Sequence, residues 1–313
     1  MLALVFPGQG SQYLGMGKEF YELGEKFRKI FEAAEDITGL PVRKLSFEGP
    51  LEELTKTENL QVCLTVVNLC ALEYLKERLG EAFKKKISFT AGHSLGEFSA
   101  LYASSVLSFE DTLKAVKKRG EIMGRSGSEK PSGMYAIINF REGELKELIK
   151  AASGLVLISN YNSPKQLVIS GEEEAIKEVA ERAKERGAKV VRLKVSAGFH
   201  SPLMEPAERE FAEFLETLEF MDAEIPFVSN VSASEERDGK RIKELIKKQM
   251  TSPVRWIEVV EYIYSKGVNT FIELGPKQVL KGLISQILEG RPFRCYSGEN
   301  PAGLEEALKE IFV

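Results

Sequence analysis

Residues 87–97, Ile87-Ser88-Phe89-Thr90-Ala91-Gly92-His93-Ser94-Leu95-Gly96-Glu97, decide how this chain reads. A short apolar run after the polar Lys84-Lys85-Lys86 predicts a strand, and it leads straight into a Gly-x-Ser-x-Gly turn that opens a helix. Small residues on either side of Ser94 let the backbone turn sharply and present the hydroxyl at a helix start, the nucleophile-elbow pattern. Amides at that helix end can stabilise an oxyanion. A bare Gly-x-Ser-x-Gly arises often by chance, so the strand-turn-helix setting carries most of the weight.

A serine hydroxyl is a poor nucleophile without a base, and the chain offers only two histidines, His93 and His200. His93 adjoins Ser94 on the elbow, so its side chain should diverge from the hydroxyl and serve structure. His200 is then the candidate base. It precedes Ser201-Pro202, an N-cap with proline at the first helical position, and the positive end of a helix disfavours imidazolium.

The early loop Gly8-Gln9-Gly10 follows an apolar strand at Leu2–Phe6. It lacks the third glycine of a dinucleotide fingerprint, where Tyr13 stands, and no Gly-Lys-Ser/Thr follows for a phosphate loop. What remains is a turn whose amides can point into a cleft and supply a second oxyanion donor. Ser108 and Asp111 form a capping-box signature for a helix with the apolar stripe Leu113, Val116, Gly120 and Met123. Arg119 borders that stripe, and spacing alone favours a salt-bridged helix residue over a buried cation.

Between Ser126 and Ser196 the order is strand (134–139), helix (142–152), strand (155–160), strand (166–170), helix (173–186), strand (189–195), the βαββαβ ferredoxin-like pattern. Flexible boundaries are expected at 126–133 and 196–198. The expected fold is α/β: a large parallel-sheet domain of α/β-hydrolase type (1–126 and 197–313) carrying an inserted ferredoxin-like subdomain (127–196). Helices are expected up to residue 36 and over 59–79, where Cys63 and Cys70 fall on an apolar stripe. The three cysteines include no CxxC pair and read as reduced core residues.

With 313 residues, 43% of them hydrophobic, the chain can build a full core. A net charge of −4 gives no reason to expect a nucleic-acid partner. No apolar run is long enough for a membrane helix and no signal peptide is evident, so a cytoplasmic site of action is expected.

Taken together, Phe6-Pro7-Gly8-Gln9-Gly10-Ser11-Gln12, Gly92-His93-Ser94-Leu95-Gly96-Glu97, Arg119 after the elbow helix, Asn160-x-Asn162-Ser163-Pro164 and Gly198-Phe199-His200-Ser201 resemble the malonyl-CoA:acyl carrier protein transacylases. The resemblance spans essentially the whole chain and includes the inserted unit. It implies Ser94 as acyl-accepting nucleophile, His200 as base and Arg119 as partner of the malonyl carboxylate. The amides of Gln9 and Leu95 would form the oxyanion hole, and the backbone carbonyl of Gln249 would orient His200. Phe199 before His200, like Leu95 after Ser94, looks like the malonyl form of the family. The implied partners are malonyl-CoA and acyl carrier protein, for a monomer that needs no metal or redox cofactor. The alternatives are a serine esterase or thioesterase of α/β-hydrolase type, which normally carries an Asp or Glu before its late histidine, and an inactive carrier-binding scaffold.

Overall fold

β1 (Leu2–Phe6) is buried along its whole length in the middle of a six-stranded sheet. The computed structural model describes residues 1–126 and 131–312. β2 (Ile87–Gly92) and β9 (Thr270–Glu273) flank β1; β10 (Arg294–Ser297) lies outside β9, and β7 (Phe227–Val228) then β8 (Glu235–Glu236) lie outside β2. Every pairing is parallel except that of β7 with β8. A parallel strand covered on both faces can be apolar at every position, which is why Leu2-Ala3-Leu4-Val5-Phe6 shows no alternation. Leu4 and Phe6 join one core cluster with the Thr57–Leu79 helix, while Ala3 and Val5 join a second with Trp256 and Val260.

A separate four-stranded sheet has the order β4-β5-β3-β6, from β3 (Ser132–Ile138), β4 (Val156–Ser163), β5 (Gln166–Glu172) and β6 (Lys189–Arg192). All its pairings are antiparallel. The helices Glu142–Lys150 and Glu173–Glu185 bury Leu145, Leu148, Ile176 and Val179 against it. This is the α/β architecture expected, a parallel sheet plus a ferredoxin-like unit, with element ends within a few residues of those read from sequence. The small sheet is bonded to the large layer: the Tyr161 amide donates to Val254 O at 2.9 Å, and the Val254 amide to Ser159 O at 2.8 Å.

Local readings differ in three places. The Thr57–Leu79 helix carries no single apolar stripe; Cys63, Leu64, Val66, Val67 and Cys70 are all buried, as a helix surrounded by others requires. Cys295 is only partly covered, on edge strand β10. The segment 196–198 is packed, with Ala197 buried and the Gly198 amide donating to Ser132 Oγ at 3.0 Å. Of the other expected boundary, residues 127–130 lie outside the described residues.

Glycine at 92 and 96 is a packing requirement. A Cβ on Gly92 would lie 1.9 Å from the Gly96 carbonyl carbon, and one on Gly96 would lie 2.0 Å from Phe6 O. Both obstacles are backbone, so neither yields by rotating a side chain. Gly96→Ala is therefore expected to destabilise the fold by on the order of 3 kcal/mol or more, read as a lowered melting temperature. An unchanged melt would show that the elbow does not need this close approach.

Candidate active site

β1 and β2 are in parallel register to their ends, with Phe6 opposite Gly92, so the loops that leave them emerge side by side at the carboxyl edge of the sheet. The glycine turn abuts the elbow: a Cβ on Gly8 would come within 2.4 Å of His93 O. Ser94 has φ +51°, a left-handed conformation that a non-glycine residue holds only under constraint. The constraint is visible. The Ser94 amide donates to Asn230 Oδ1 at 2.8 Å, and Asn230 Nδ2 donates to Gly92 O at 2.7 Å, so one side chain just beyond β7 ties both limbs of the turn.

His200, also left-handed at φ +56°, sets its Nε2 2.8 Å from Ser94 Oγ. Its Nδ1 lies 3.0 Å from Gln249 O and 3.1 Å from Ser252 O. Two carbonyls can only accept, so the ring proton belongs on Nδ1, and the Nε2 lone pair is left to accept from the serine hydroxyl. Burial lowers the imidazole to about 3, and the neighbouring Arg119 charge pushes the same way. The helix start lies where it was expected, the Pro202–Met204 3₁₀ turn running directly into the Glu205–Leu215 helix, but Ser201 Oγ donates back to Gly198 O at 2.6 Å instead of capping it, and burial is the larger cause of neutrality.

His93 diverges from Ser94 as expected. Its Nε2 donates to Asn162 Oδ1 at 2.7 Å, its ring meets Trp256 edge-on, and burial lowers its pKa too. With only two histidines in the chain, an imidazole NMR titration is easily assigned. Neither ring is expected to titrate near 6.5, and His200 should remain the neutral Nδ1–H form at pH 5. As the folded pKa is depressed, the unfolded chain takes up a proton that the folded one refuses between about 6.5 and about 3, so this group weakens stability as pH falls through that window. A His200 imidazolium at pH 6 would contradict this account.

Arg119 is buried, not at a surface ion pair. Its Nη1 donates to Gln61 Oε1 at 2.9 Å, its Nε and Nη2 donate to Gln249 Oε1 at 3.2 and 2.9 Å, and Nη2 reaches Ser94 Oγ at 3.2 Å. All of these oxygens are neutral. Burial lowers the guanidinium to about 10, partly offset by the Glu97 carboxylate, so it remains charged at neutral pH. Spacing along the helix located Arg119 beside the apolar stripe but could not register that a second helix, Thr57–Leu79, covers it.

Ser94, His200 and Arg119 open onto a cavity of about 230 Å³ that runs between the two sheets, walled by Met123, Met134, Val168 and Leu283. Gln9, Leu95 and Phe199 also line it, whereas Gln249 lies behind it and reaches the site through its carbonyl and its amide. Four contributors escaped sequence reasoning: Gln61, Glu97, Asn230 and Ser252. Glu97 stood within the quoted motif, yet its burial is a tertiary fact.

The chain matches the acyl transferase domain family over residues 3–294. It is 39% identical to the malonyl CoA-acyl carrier protein transacylase of Bacillus subtilis, across 99% of this chain and 97% of that one. To the Staphylococcus aureus protein of the same name it is 37% identical, across 91% and 92%. Among solved structures it is similar to an acyl-carrier-protein S-malonyltransferase from Bartonella henselae, with TM-score 0.94 at 37% identity, covering 100% of this chain and 99% of that one. It is likewise similar to a malonyl-transacylase solved in complex with a type II polyketide-synthase acyl carrier protein, with TM-score 0.93 at 35% identity, covering 99% of each.

Proposed function

Because the chain belongs to the acyl transferase domain family, we propose that it moves malonyl groups from malonyl-CoA to the phosphopantetheine thiol of acyl carrier protein through a malonyl-Ser94 ester, supplying fatty-acid synthesis. The observation that carries this reading is the buried Arg119, charged, bonded only to neutral oxygens, and 3.2 Å from the nucleophile. A cation so placed is matched by an acyl group with a free carboxylate, and charge-assisted hydrogen bonds would hold it.

In the first half-reaction His200 Nε2 takes the Ser94 proton while Oγ attacks the thioester carbonyl carbon. The resulting oxyanion is held by the amides of Gln9 and Leu95, both at the cavity wall. The carbon–sulfur bond then breaks, and His200 returns the proton to the departing coenzyme A thiolate. In the second half the carrier thiol gives its proton to His200 and attacks the ester, and Ser94 leaves as the hydroxyl. Docking of the malonyl carboxylate on Arg119 removes part of the charge that depresses His200, so the base strengthens as substrate binds. Phe199, buried beside His200, is assigned to shaping the acyl pocket.

The remaining features are compatible with this role. We take the working unit as a monomer, with 127–196 as the inserted subdomain of the larger 1–126 and 197–313 unit. No helix among the described residues is long and apolar enough to cross a membrane, and we assign the reaction to the cytoplasm. Intact mass spectrometry after mixing with malonyl-CoA tests the whole reading. A malonyl adduct that persists in buffer and is discharged by holo-acyl carrier protein is expected; discharge to water as fast as to carrier would make the protein a thioesterase instead.

A further inference from the structure

Glu97 is a fully buried carboxylate at the start of the Gly96–Ala103 helix, and it does not line the cavity. Its Oε1 accepts the Asn230 amide at 2.7 Å, and its Oε2 accepts Gln249 Nε2 in a close contact. These two partners lead to separate parts of the site. Asn230 carries on to the Ser94 amide and Gly92 O, bracing the elbow. Gln249 carries on to Arg119 through its side-chain oxygen and to His200 through its backbone carbonyl.

We propose that Glu97 is a positioning residue that fixes the amide orientation of Gln249, and through it the direction of Arg119, so that a carboxylate below the site sets malonyl selectivity without touching substrate. The inference rests on the malonyl-Ser94 reading and deepens it. An ionised carboxylate can only accept, and the Ser94 carbonyl on the same side of Gln249, 2.9 Å from Nε2, can only accept. Gln249 must therefore turn its NH₂ toward Glu97 and its oxygen toward the guanidinium. Flipped, it would set oxygen against two acceptors and NH₂ against Arg119. Burial raises the Glu97 carboxyl to about 7, opposed by the donated Asn230 and Gln249 bonds and by Arg119. With the carboxyl at about 7, the ionised form that dictates the orientation prevails above that pH, and in the structure both Glu97 oxygens accept.

Replacing the carboxylate by an amide removes this directionality. In Glu97→Gln the introduced NH₂ would face either the Asn230 backbone amide or the Gln249 NH₂, a donor against a donor; since Ser94 O and Arg119 oppose a flip, the Gln249 side chain would be pushed out of place, and with it the oxygen to which Arg119 donates. The test is single-turnover acyl loading, by intact mass, of the full-length wild type and of Glu97→Gln, Asn230→Ala, Gln249→Leu and Glu97→Gln/Gln249→Leu, with malonyl-CoA and acetyl-CoA. Folding is followed by thermal melting and near-UV circular dichroism.

Glu97→Gln is expected to lower the malonyl-to-acetyl rate ratio by about tenfold or more. Gln249→Leu should lower it similarly, and adding Glu97→Gln to Gln249→Leu should leave the ratio where it is, because the effect passes through that side chain. Asn230→Ala should slow both donors equally through the elbow alone. A role confined to stability would move both donors together in every variant. An unchanged ratio in Glu97→Gln, or a further fall in the double variant, overturns the proposal. If Glu97→Gln does not fold, a ratio spared by Gln249→Leu or lowered by Asn230→Ala overturns it equally. A wild type that never acquires malonyl refutes the malonyl-Ser94 reading itself, whereas one that loads while its variants keep the ratio refutes only the role of Glu97.

Discussion

Ser94→Ala is expected to abolish the malonyl adduct and to lower carrier malonylation on the order of 10⁴-fold or more, since among the described residues no second hydroxyl lines the cavity to take over a covalent route. The fold should survive. The Ser94 side chain makes its hydrogen bonds with His200 Nε2 and Arg119 Nη2, while the elbow is held through backbone atoms, by Asn230 and by the approach of Gly92 to Gly96. Alanine must still adopt φ +51°, at a cost of about 1 kcal/mol that serine already bears. Intact mass spectrometry with malonyl-CoA reads the result directly. A covalent adduct that persists in the variant, on whichever residue, would remove Ser94 from the centre of the reaction.

Arg119→Ala should separate two substrates that differ by a carboxylate. Malonyl loading is expected to fall by about 100-fold or more, the size of a lost charge-assisted pair in a buried site, while acetyl loading stays within about tenfold. Two opposing effects bear on acetyl. Removing the guanidinium strips Gln61 Oε1 and Gln249 Oε1 of their donors, at about 1–3 kcal/mol for each unpaired buried group, so the melting temperature should drop. It also lifts the charge that helps depress His200, which strengthens the base. Rates per folded molecule with malonyl-CoA and acetyl-CoA decide the matter. Equal losses for both donors would mean that Arg119 supports the site without recognising the carboxylate.

The two catalytic assignments owe different amounts to the sequence. Ser94 was legible because a nucleophile elbow is a local device: a strand, two glycines and a helix start all lie within a dozen residues. His200 was legible by scarcity, with one of two histidines consumed by the elbow itself. The main reason for its neutrality, burial, was missed, because a short sequence shows a helix start but not the layers that bury it. Gln249 had no local signature at all; only family resemblance pointed to its carbonyl, and Ser252, which offers a second carbonyl 3.1 Å from Nδ1, had none either.

By itself the sequence determined the order of elements: the uninterrupted apolar β1, the turn at Gly92–Gly96, and the succession of short apolar strands and amphipathic helices in the βαββαβ unit. Those patterns are written in neighbouring residues, and backbone geometry reads them there. What only the tertiary structure decided is the environment of the charges. Helical spacing puts Arg119 at the edge of a stripe, but a helix face acquires its meaning from what covers it, here the Thr57–Leu79 helix and Gln249. Glu97, Arg119, Asn230 and Gln249 become one network only when β2, β7 and the segment before Val254 close on each other. Burial then turns an ordinary glutamate and arginine into directional groups, because in a site shielded from water each polar atom must find its partner within the protein.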